Sequence, residues 1–167
     1  MKKKLNIEII LTKETKIYNE FNNNQLSDNL SNYIYNQCKG VPSGTNISLN
    51  INHNFEINEE EKNKLIDCIR ENYGLDIREN LLKLKHEHQK EIVFILLGSI
   101  LLLISYFFNY IHTPLIGEII SIFGCVVIWE IAYNIFFIET KIRLQNKRLK
   151  KITEAKINFN EINEKNM

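Results

Sequence analysis

The chain has 167 residues and a net charge of +1 at pH 7. This length is typical of a single domain, and the near-neutral charge excludes the strongly basic footprint of a nucleic-acid-binding protein. The cysteines Cys38, Cys68 and Cys125 are widely spaced and form no CxxC pair, so we expect reduced thiols and neither a disulfide framework nor a zinc site.

The N-terminal region begins with an alternation of apolar and polar residues. Leu5, Ile7 and Ile9 alternate with Asn6 and Glu8, which predicts a strand. The apolar run is too short and too interrupted for a secretory signal peptide. We therefore expect this end of the chain to stay in the cytoplasm.

The next two stretches predict a helix followed by a strand. In LSDNLSNYIYNQCKG the apolar residues repeat at helical spacing, and Gly40 suits the end of a helix. In TNISLNINHNF the residues Ile47, Leu49 and Ile51 alternate with polar residues, which is typical of a half-buried strand.

Two further helices are predicted before the apolar region. Asn58 and Glu61 have the spacing of a capping box, and Gly74 marks the expected end of that helix. Asp76, with Glu79 three residues later, is the expected N-cap of a long helix that continues into the apolar region.

Two apolar segments, at about residues 92–110 and 114–136, are long enough to span a bilayer, which takes about 17–25 helical residues. The connection NYIHT between them is short, so the segments predict a transmembrane helical hairpin within residues 91–138. The lipid bilayer is accordingly an expected partner.

The basic residues near the apolar segments predict the orientation of the hairpin. The connection contains no Lys or Arg, whereas Lys83, Lys85 and Lys90 precede the first segment. Six cations follow the second segment: Lys141, Arg143, Lys147, Arg148, Lys150 and Lys151. This asymmetry predicts that both termini are cytoplasmic. The six cations either bind anionic lipid headgroups or act only as a topology signal.

Glu130 lies among apolar residues and raises the question of its depth. If the hairpin turns at Ile111, Glu130 is level with Ile92, because both helices rise by the same distance per residue. We therefore expect an interfacial carboxylate that is either hydrated or paired with Lys90. The alternative is an intramembrane proton or cation site that also uses Asn134, one helical turn further on.

Small residues follow the second apolar segment at four-residue spacing. Gly117, Ser121 and Cys125 share one helical face, with Gly124 beside them and Glu118 near the outer interface. Such faces allow helices to approach closely. The stripe predicts either the packing of the hairpin itself or an interface in a homo-oligomer.

The C-terminal stretch AKINFNEI alternates again, and we expect residues 156–161 to form a strand in the same sheet as the first strand. The predicted fold class is thus an α+β membrane protein. It combines a two-helix transmembrane hairpin with a small cytosolic β-α-β-α domain that gains a C-terminal strand. The expected regions are a cytosolic domain with a juxtamembrane helix (1–90), the hairpin (91–138), and a basic helix with the last strand (139–167).

The stretch EIISIFGCVVIWEIAYNIFFIETKIRLQNKRLKKITEAKINF, together with the preceding domain, resembles small two-span membrane proteins of low-GC Gram-positive bacteria. The resemblance covers most of the chain. It implies a bacterial origin, the bacterial cell membrane as location, and the two-span topology. It implies no activity.

Catalytic patterns are missing from the sequence. There is no P-loop, no GxSxG and no HExxH. His86 and His88, two apart on a helix, point away from each other. We therefore predict no catalytic, cofactor-binding or metal-binding residue, and an enzyme is not expected.

Two hypotheses remain for the function. The first is a membrane-anchored cytosolic domain that acts as a sensor or regulator through a protein partner. The alternative is an oligomeric permeability element or effector that provides a pore or an ion or proton pathway. A pore requires polar residues along a lumen, whereas an anchor requires only apolar spans.

Overall fold

The computed structural model describes residues 4–42 and 45–162. In chain order the elements are β1 (Lys4–Leu11), α1 (Asp28–Gln37), β2 (Asn46–His53), α2 (Glu59–Tyr110), α3 (Pro114–Tyr133), a π-helical segment (Asn134–Glu139), α4 (Thr140–Thr153) and β3 (Lys156–Glu161). The chain divides into two compact units. We call residues 1–78 with 145–167 the sheet unit, and residues 79–144 the helical unit.

The sheet unit contains a three-stranded parallel sheet in the order β1-β2-β3. Ile7 lies opposite Leu49, and Leu49 lies opposite Ile157, so the alternating apolar residues of the three strands fall in one row. The predicted C-terminal strand is confirmed. It pairs with β2 and not directly with β1.

Three helices cover one face of this sheet. Ile34 of α1, Ile69 of α2 and Ile152 of α4 join one core with Leu49 and Ile51 of β2. Right-handed crossovers in a sheet that grows in one direction put every connecting helix on the same face. The strand order therefore explains why the core lies on one side only.

The opposite face of the sheet carries polar side chains. Asn158 Nδ2 donates to Asn50 Oδ1 at 2.9 Å, and Asn160 Nδ2 donates to Asn52 Oδ1 at 3.1 Å. Parallel sheets are usually covered on both faces. Here amides that pair across neighbouring strands replace the second apolar layer.

Helix α2 differs from the sequence-based prediction because it runs through 52 residues without a break. The predicted capping box is confirmed: the Glu61 N–H donates to Asn58 Oδ1 at 2.7 Å, and the Asn58 N–H donates to Glu61 Oε2 at 3.1 Å. The predicted end at Gly74 is wrong. A glycine inside a helix costs only about 1 kcal/mol, and Tyr73, which is buried beside it, holds that turn in the core.

Two helical stretches, Glu59–Tyr110 and Pro114–Thr153, are long and apolar enough to cross a membrane by length and composition. Each contains a strongly apolar stretch of 18 residues, and 17% of that stretch is buried within the protein. The fold is therefore α+β, with a three-stranded parallel sheet and two long apolar helices.

Ile152 tests the contribution of α4 to the sheet unit. Ile152 is 0% exposed and Ile10, on the polar face, is 58% exposed. We expect Ile152→Ala to lower the free energy of unfolding by about 2–5 kcal/mol, because it opens a cavity in the core. Ile10→Ala should change it by less than about 0.5 kcal/mol. Pulse proteolysis of the purified chain in urea measures both, and equal urea midpoints would contradict the assigned core.

Candidate functional site

The two long helices of the helical unit approach closely at glycines. A Cβ atom at Gly124 would lie 3.0 Å from Leu102 Cδ2, and one at Gly98 would lie 3.2 Å from Ile128 Cγ1. Near the connection, the Ser105 hydroxyl donates to the Gly117 carbonyl at 2.7 Å. Small residues thus hold α2 and α3 together along one seam.

This seam corrects the predicted small-residue stripe. Gly117 and Gly124 are buried, but Ser121 is only half-buried and Cys125 is exposed. Two packed antiparallel helices meet at positions about seven residues apart, whereas positions four apart drift around the helix. Gly117 and Gly124 therefore make the hairpin contact, and Ser121 and Cys125 lie in an exposed groove that Glu118 also lines.

Of the two states expected for Glu130, hydrated or paired with Lys90, the pairing is not the one that the described residues form, and the interfacial depth stays a prediction. Lys90 Nζ lies 2.9 Å from Glu87 Oε1, one turn earlier on the same helix. A partner three residues away is always within reach on a helix. Glu130 is exposed, whereas Asn134, its predicted neighbour, is 5% exposed. The two side chains are therefore not brought together in one buried site.

The π-helical segment changes which residues of the second long helix face the protein. Both ends of the segment, Asn134 and Glu139, are buried, although they are five residues apart. A regular α-helix would put Ile138, four residues on, closer to the face of Asn134. The extra residue of the π turn therefore directs Glu139 inward. The Thr140 hydroxyl donates to the Ile135 carbonyl at 3.2 Å.

Glu139 meets two residues of α2 in what we call the His-Glu-Glu cluster: His88, Glu91 and Glu139. The distance from His88 Nδ1 to Glu91 Oε2 is 3.0 Å, and that to Glu139 Oε1 is 2.7 Å. The side chains of Glu91 and Glu139 are 8% and 5% exposed, and that of His88 is 53% exposed. One possible ligand atom from each residue lies within 4.8 Å of the other two.

Hydrogen bonds satisfy only part of this cluster. His88 Nδ1 has hydrogen-bond geometry toward Glu91 Oε2, and one N–H cannot serve two carboxylates equally, so its contact with Glu139 is mainly electrostatic. Arg143 Nη2 and Nε donate to Glu139 Oε2 at 3.0 and 3.3 Å. The Oε1 atoms of Glu91 and Glu139 are buried and have no hydrogen-bond partner within the part of the chain that the structure describes.

The charges of the cluster favour a cation. The hydrogen bond to Glu91, and next the charge of Glu139, raise the pKa of His88. With neutral His88, the two carboxylates and Arg143 sum to one negative charge. A buried charge without compensation is costly. The arrangement can therefore hold a proton on His88 or a metal ion between the three ligand atoms.

The six cations after the second apolar segment do not form one uniform patch. Three of them contact groups of the protein: Arg143 binds Glu139, Lys150 Nζ lies 3.8 Å from Glu154 Oε1, and Lys151 Nζ donates to the Thr45 carbonyl at 2.8 Å. Lys141 and Lys147 are exposed and Arg148 is half-buried. Binding of lipid headgroups stays a prediction.

Sequence reasoning did not find the His-Glu-Glu cluster. The one local signal is that His88 and Glu91 are three residues apart and so share a helical face. Glu139 lies 48 positions after Glu91 in the chain. Its inward direction depends on a π turn, and no residue pattern in the segment NIFFIE indicates one.

Comparisons with protein-family models, with curated proteins and with solved structures find no match to this chain. The geometry of the two units therefore carries the functional argument.

Gly124 tests the seam between the long helices. We expect Gly124→Ile to lower the free energy of unfolding by about 1–3 kcal/mol, because the added atoms overlap Leu102. Cys125→Ile is the matched control, since Cys125 is exposed and should tolerate the larger side chain. Thermal unfolding followed by circular dichroism measures both variants. A Gly124→Ile melting temperature at or above that of Cys125→Ile would refute the seam.

Arg143 tests the compensation of the buried Glu139. Arg143→Met leaves Glu139 buried beside fewer donors, so we expect a loss of about 1 kcal/mol or more. The loss should stay below that of a fully buried pair, because the Arg143 side chain is 56% exposed. Lys141→Met, which removes an exposed cation two residues away, should have little effect. Thermal unfolding at pH 7 compares the two, and equal losses would argue against the pair.

Proposed function

We propose that this chain is a two-span membrane protein that holds a small cytosolic α+β domain at the bilayer, where the domain acts as an interaction, sensor or regulatory module. The observation that carries the proposal is the exposure of the long helices. A core helix of a soluble protein is mostly buried. Here only 17% of the strongly apolar 18-residue stretch in each helix is buried. Leu103, Phe107, Leu115 and Phe123 are each 59–71% exposed. An apolar surface of this extent requires a lipid or protein environment.

The charge pattern supports the proposed orientation. Cations stand before the first apolar segment and after the second, and the connection between the segments has none. We propose that the connection faces outward and that the sheet unit is cytoplasmic. From the expected resemblance to two-span proteins of low-GC Gram-positive bacteria, we propose the bacterial cell membrane as the location.

The sheet unit supports an interaction role through its uncovered surface. On the polar face of the sheet Ile10 is 58% exposed, and β1 is an edge strand. A groove beside β1 is lined by Glu8, Ile10, Thr15 and Tyr33, among others, and the Tyr33 hydroxyl donates to the Glu8 carbonyl at 2.9 Å. We propose that a protein partner uses this side of the unit.

A second candidate function is an oligomeric permeability element. The observation that favours it is the groove on the exposed face of α3, where Glu118 and Ser121 are next to Cys125. If this face lines a lumen in an oligomer, the purified protein should make liposomes permeable to protons or cations, and Glu118→Gln should reduce the flux. Flux no faster than in protein-free liposomes would exclude this candidate and leave the anchored domain.

Cysteine labelling in intact cells tests the anchor and its orientation. The labelled variants are Lys13→Cys, Ile111→Cys and Glu161→Cys. Each also carries Cys125→Ser, which removes the exposed native thiol, whereas Cys38 and Cys68 are buried and can stay. An impermeant maleimide should react from outside only at position 111, because the cation asymmetry places the connection outside.

Permeabilised cells provide the control, since all three positions should then react. Reaction at position 13 or 161 in sealed cells would contradict the proposed cytoplasmic location of the termini. Recovery of the unmodified chain in the soluble fraction would refute the membrane anchor itself.

A further inference from the structure

The His-Glu-Glu cluster has more buried acceptors than the protein can satisfy. Its residues come from two separate stretches of chain: His88 and Glu91 from α2, and Glu139 from the π-helical segment. Two carboxylate oxygens, Glu91 Oε1 and Glu139 Oε1, are buried without a hydrogen-bond partner among residues 4–42 and 45–162. Leaving such atoms unpaired is unfavourable, and more so when the group is charged. The cluster therefore presents two buried acceptor oxygens that a cation can bind.

The described side chains around the cluster direct their donors at the other carboxylate oxygens, the Oε2 atoms. His88 has one N–H at Nδ1, which is directed at Glu91 Oε2. Both donor atoms of Arg143 that reach Glu139 bind Oε2, on the other side of the carboxylate from His88. Glu139 Oε1 lies 2.7 Å from His88 Nδ1, so it is directed into the cluster.

We propose that His88, Glu91 and Glu139 bind one divalent transition-metal ion, with Zn²⁺ as the preferred ion. Binding at Nδ1 displaces its proton to solvent and leaves the N–H of the neutral ring on Nε2. One imidazole nitrogen and two carboxylate oxygens are then a donor set that suits zinc, and three protein ligands leave a fourth position for water. The histidine disfavours Mg²⁺ and Ca²⁺, which take oxygen ligands.

The distances require only a small adjustment. Ligands at about 2.0–2.2 Å from Zn²⁺ in a tetrahedron are separated from each other by about 3.3–3.5 Å. The present separations of 2.7 and 3.0 Å must therefore widen by about 0.5 Å. All three ligand atoms already lie within 4.8 Å of one another, and rotation of the two carboxylates is sufficient for this change.

Two surrounding features fit a metal ion. Arg143 binds Glu139 Oε2 and fixes the carboxylate while Oε1 stays available, which is how groups behind a ligand commonly orient it. The His88 side chain is 53% exposed, so an ion can reach the cluster from solvent. A bound ion would tie α2 to the π-helical segment, and this inference does not depend on the proposed membrane location.

Zn²⁺ titration of the chelator-treated full chain, by isothermal calorimetry, tests the proposal. We expect one ion per chain for the wild type. His88→Ala, Glu91→Gln and Glu139→Gln should each weaken binding at least tenfold. The matched controls are His86→Ala, an exposed histidine two residues from His88, and Glu130→Gln, an exposed carboxylate on α3. Both controls should bind as the wild type does, and Mg²⁺ should not compete.

A thermal shift provides a second readout that does not depend on heats of binding. An ion that binds only the folded chain raises the melting temperature, so Zn²⁺ should stabilise the wild type and both controls but not the three ligand variants. His88→Ala is the decisive variant, because removing a half-exposed side chain leaves the core intact. The proposal would be overturned if the wild type showed no binding at a Zn²⁺ concentration of about 1 mM, because a dissociation constant above this value corresponds to only weak affinity. Equal binding by wild type and His88→Ala would also overturn it and place the ion elsewhere.

Discussion

The parallel pairing of β2 with β3 is the constraint on which the architecture depends. Parallel neighbours require the chain to return to the same end of the sheet, so a crossover must connect them. In this protein the crossover contains the whole helical unit: α2 leaves the sheet and α4 returns to it. Because Ile69 and Ile152 join the same core, the helices on both sides of the inserted residues are fixed by one sheet.

Packing inside the helical unit follows from a second constraint, the close approach of α2 and α3. At Gly98 and Gly124 there is no room for a side chain larger than hydrogen without movement of Ile128 or Leu102. Such contacts stabilise the helix pair through dispersion energy and do not depend on the hydrophobic effect, so they can form in lipid as well as in water. The seam leaves the large apolar side chains on the outside, where most of the surface of both helices is exposed.

Sequence patterns predicted the elements whose signal is local. Alternation gave all three strands, and the capping box at Asn58 was correct, because both depend on neighbouring residues. The break at Gly74 was wrong because tertiary packing outweighs a small propensity cost. The stripe at Gly117, Ser121 and Cys125 was partly wrong because helix contacts repeat near seven residues rather than four. The inward direction of Glu139 could not be predicted from the sequence, because a π turn sets it.

The stability of the fold does not explain the presence of the His-Glu-Glu cluster. Well-packed apolar residues often stabilise a protein as much as a buried ion pair or more, because charges must be desolvated. Arg143 offsets one of the two buried carboxylates, and His88 can serve only part of the other. Leu or Met at positions 91 and 139 would fill similar volume without that cost. A π turn also gives up regular helical hydrogen bonding, and such turns are frequent at functional sites. A cation held by His88 and the two carboxylates offsets their charge and gives the π turn a role, since it is the turn that brings Glu139 to His88.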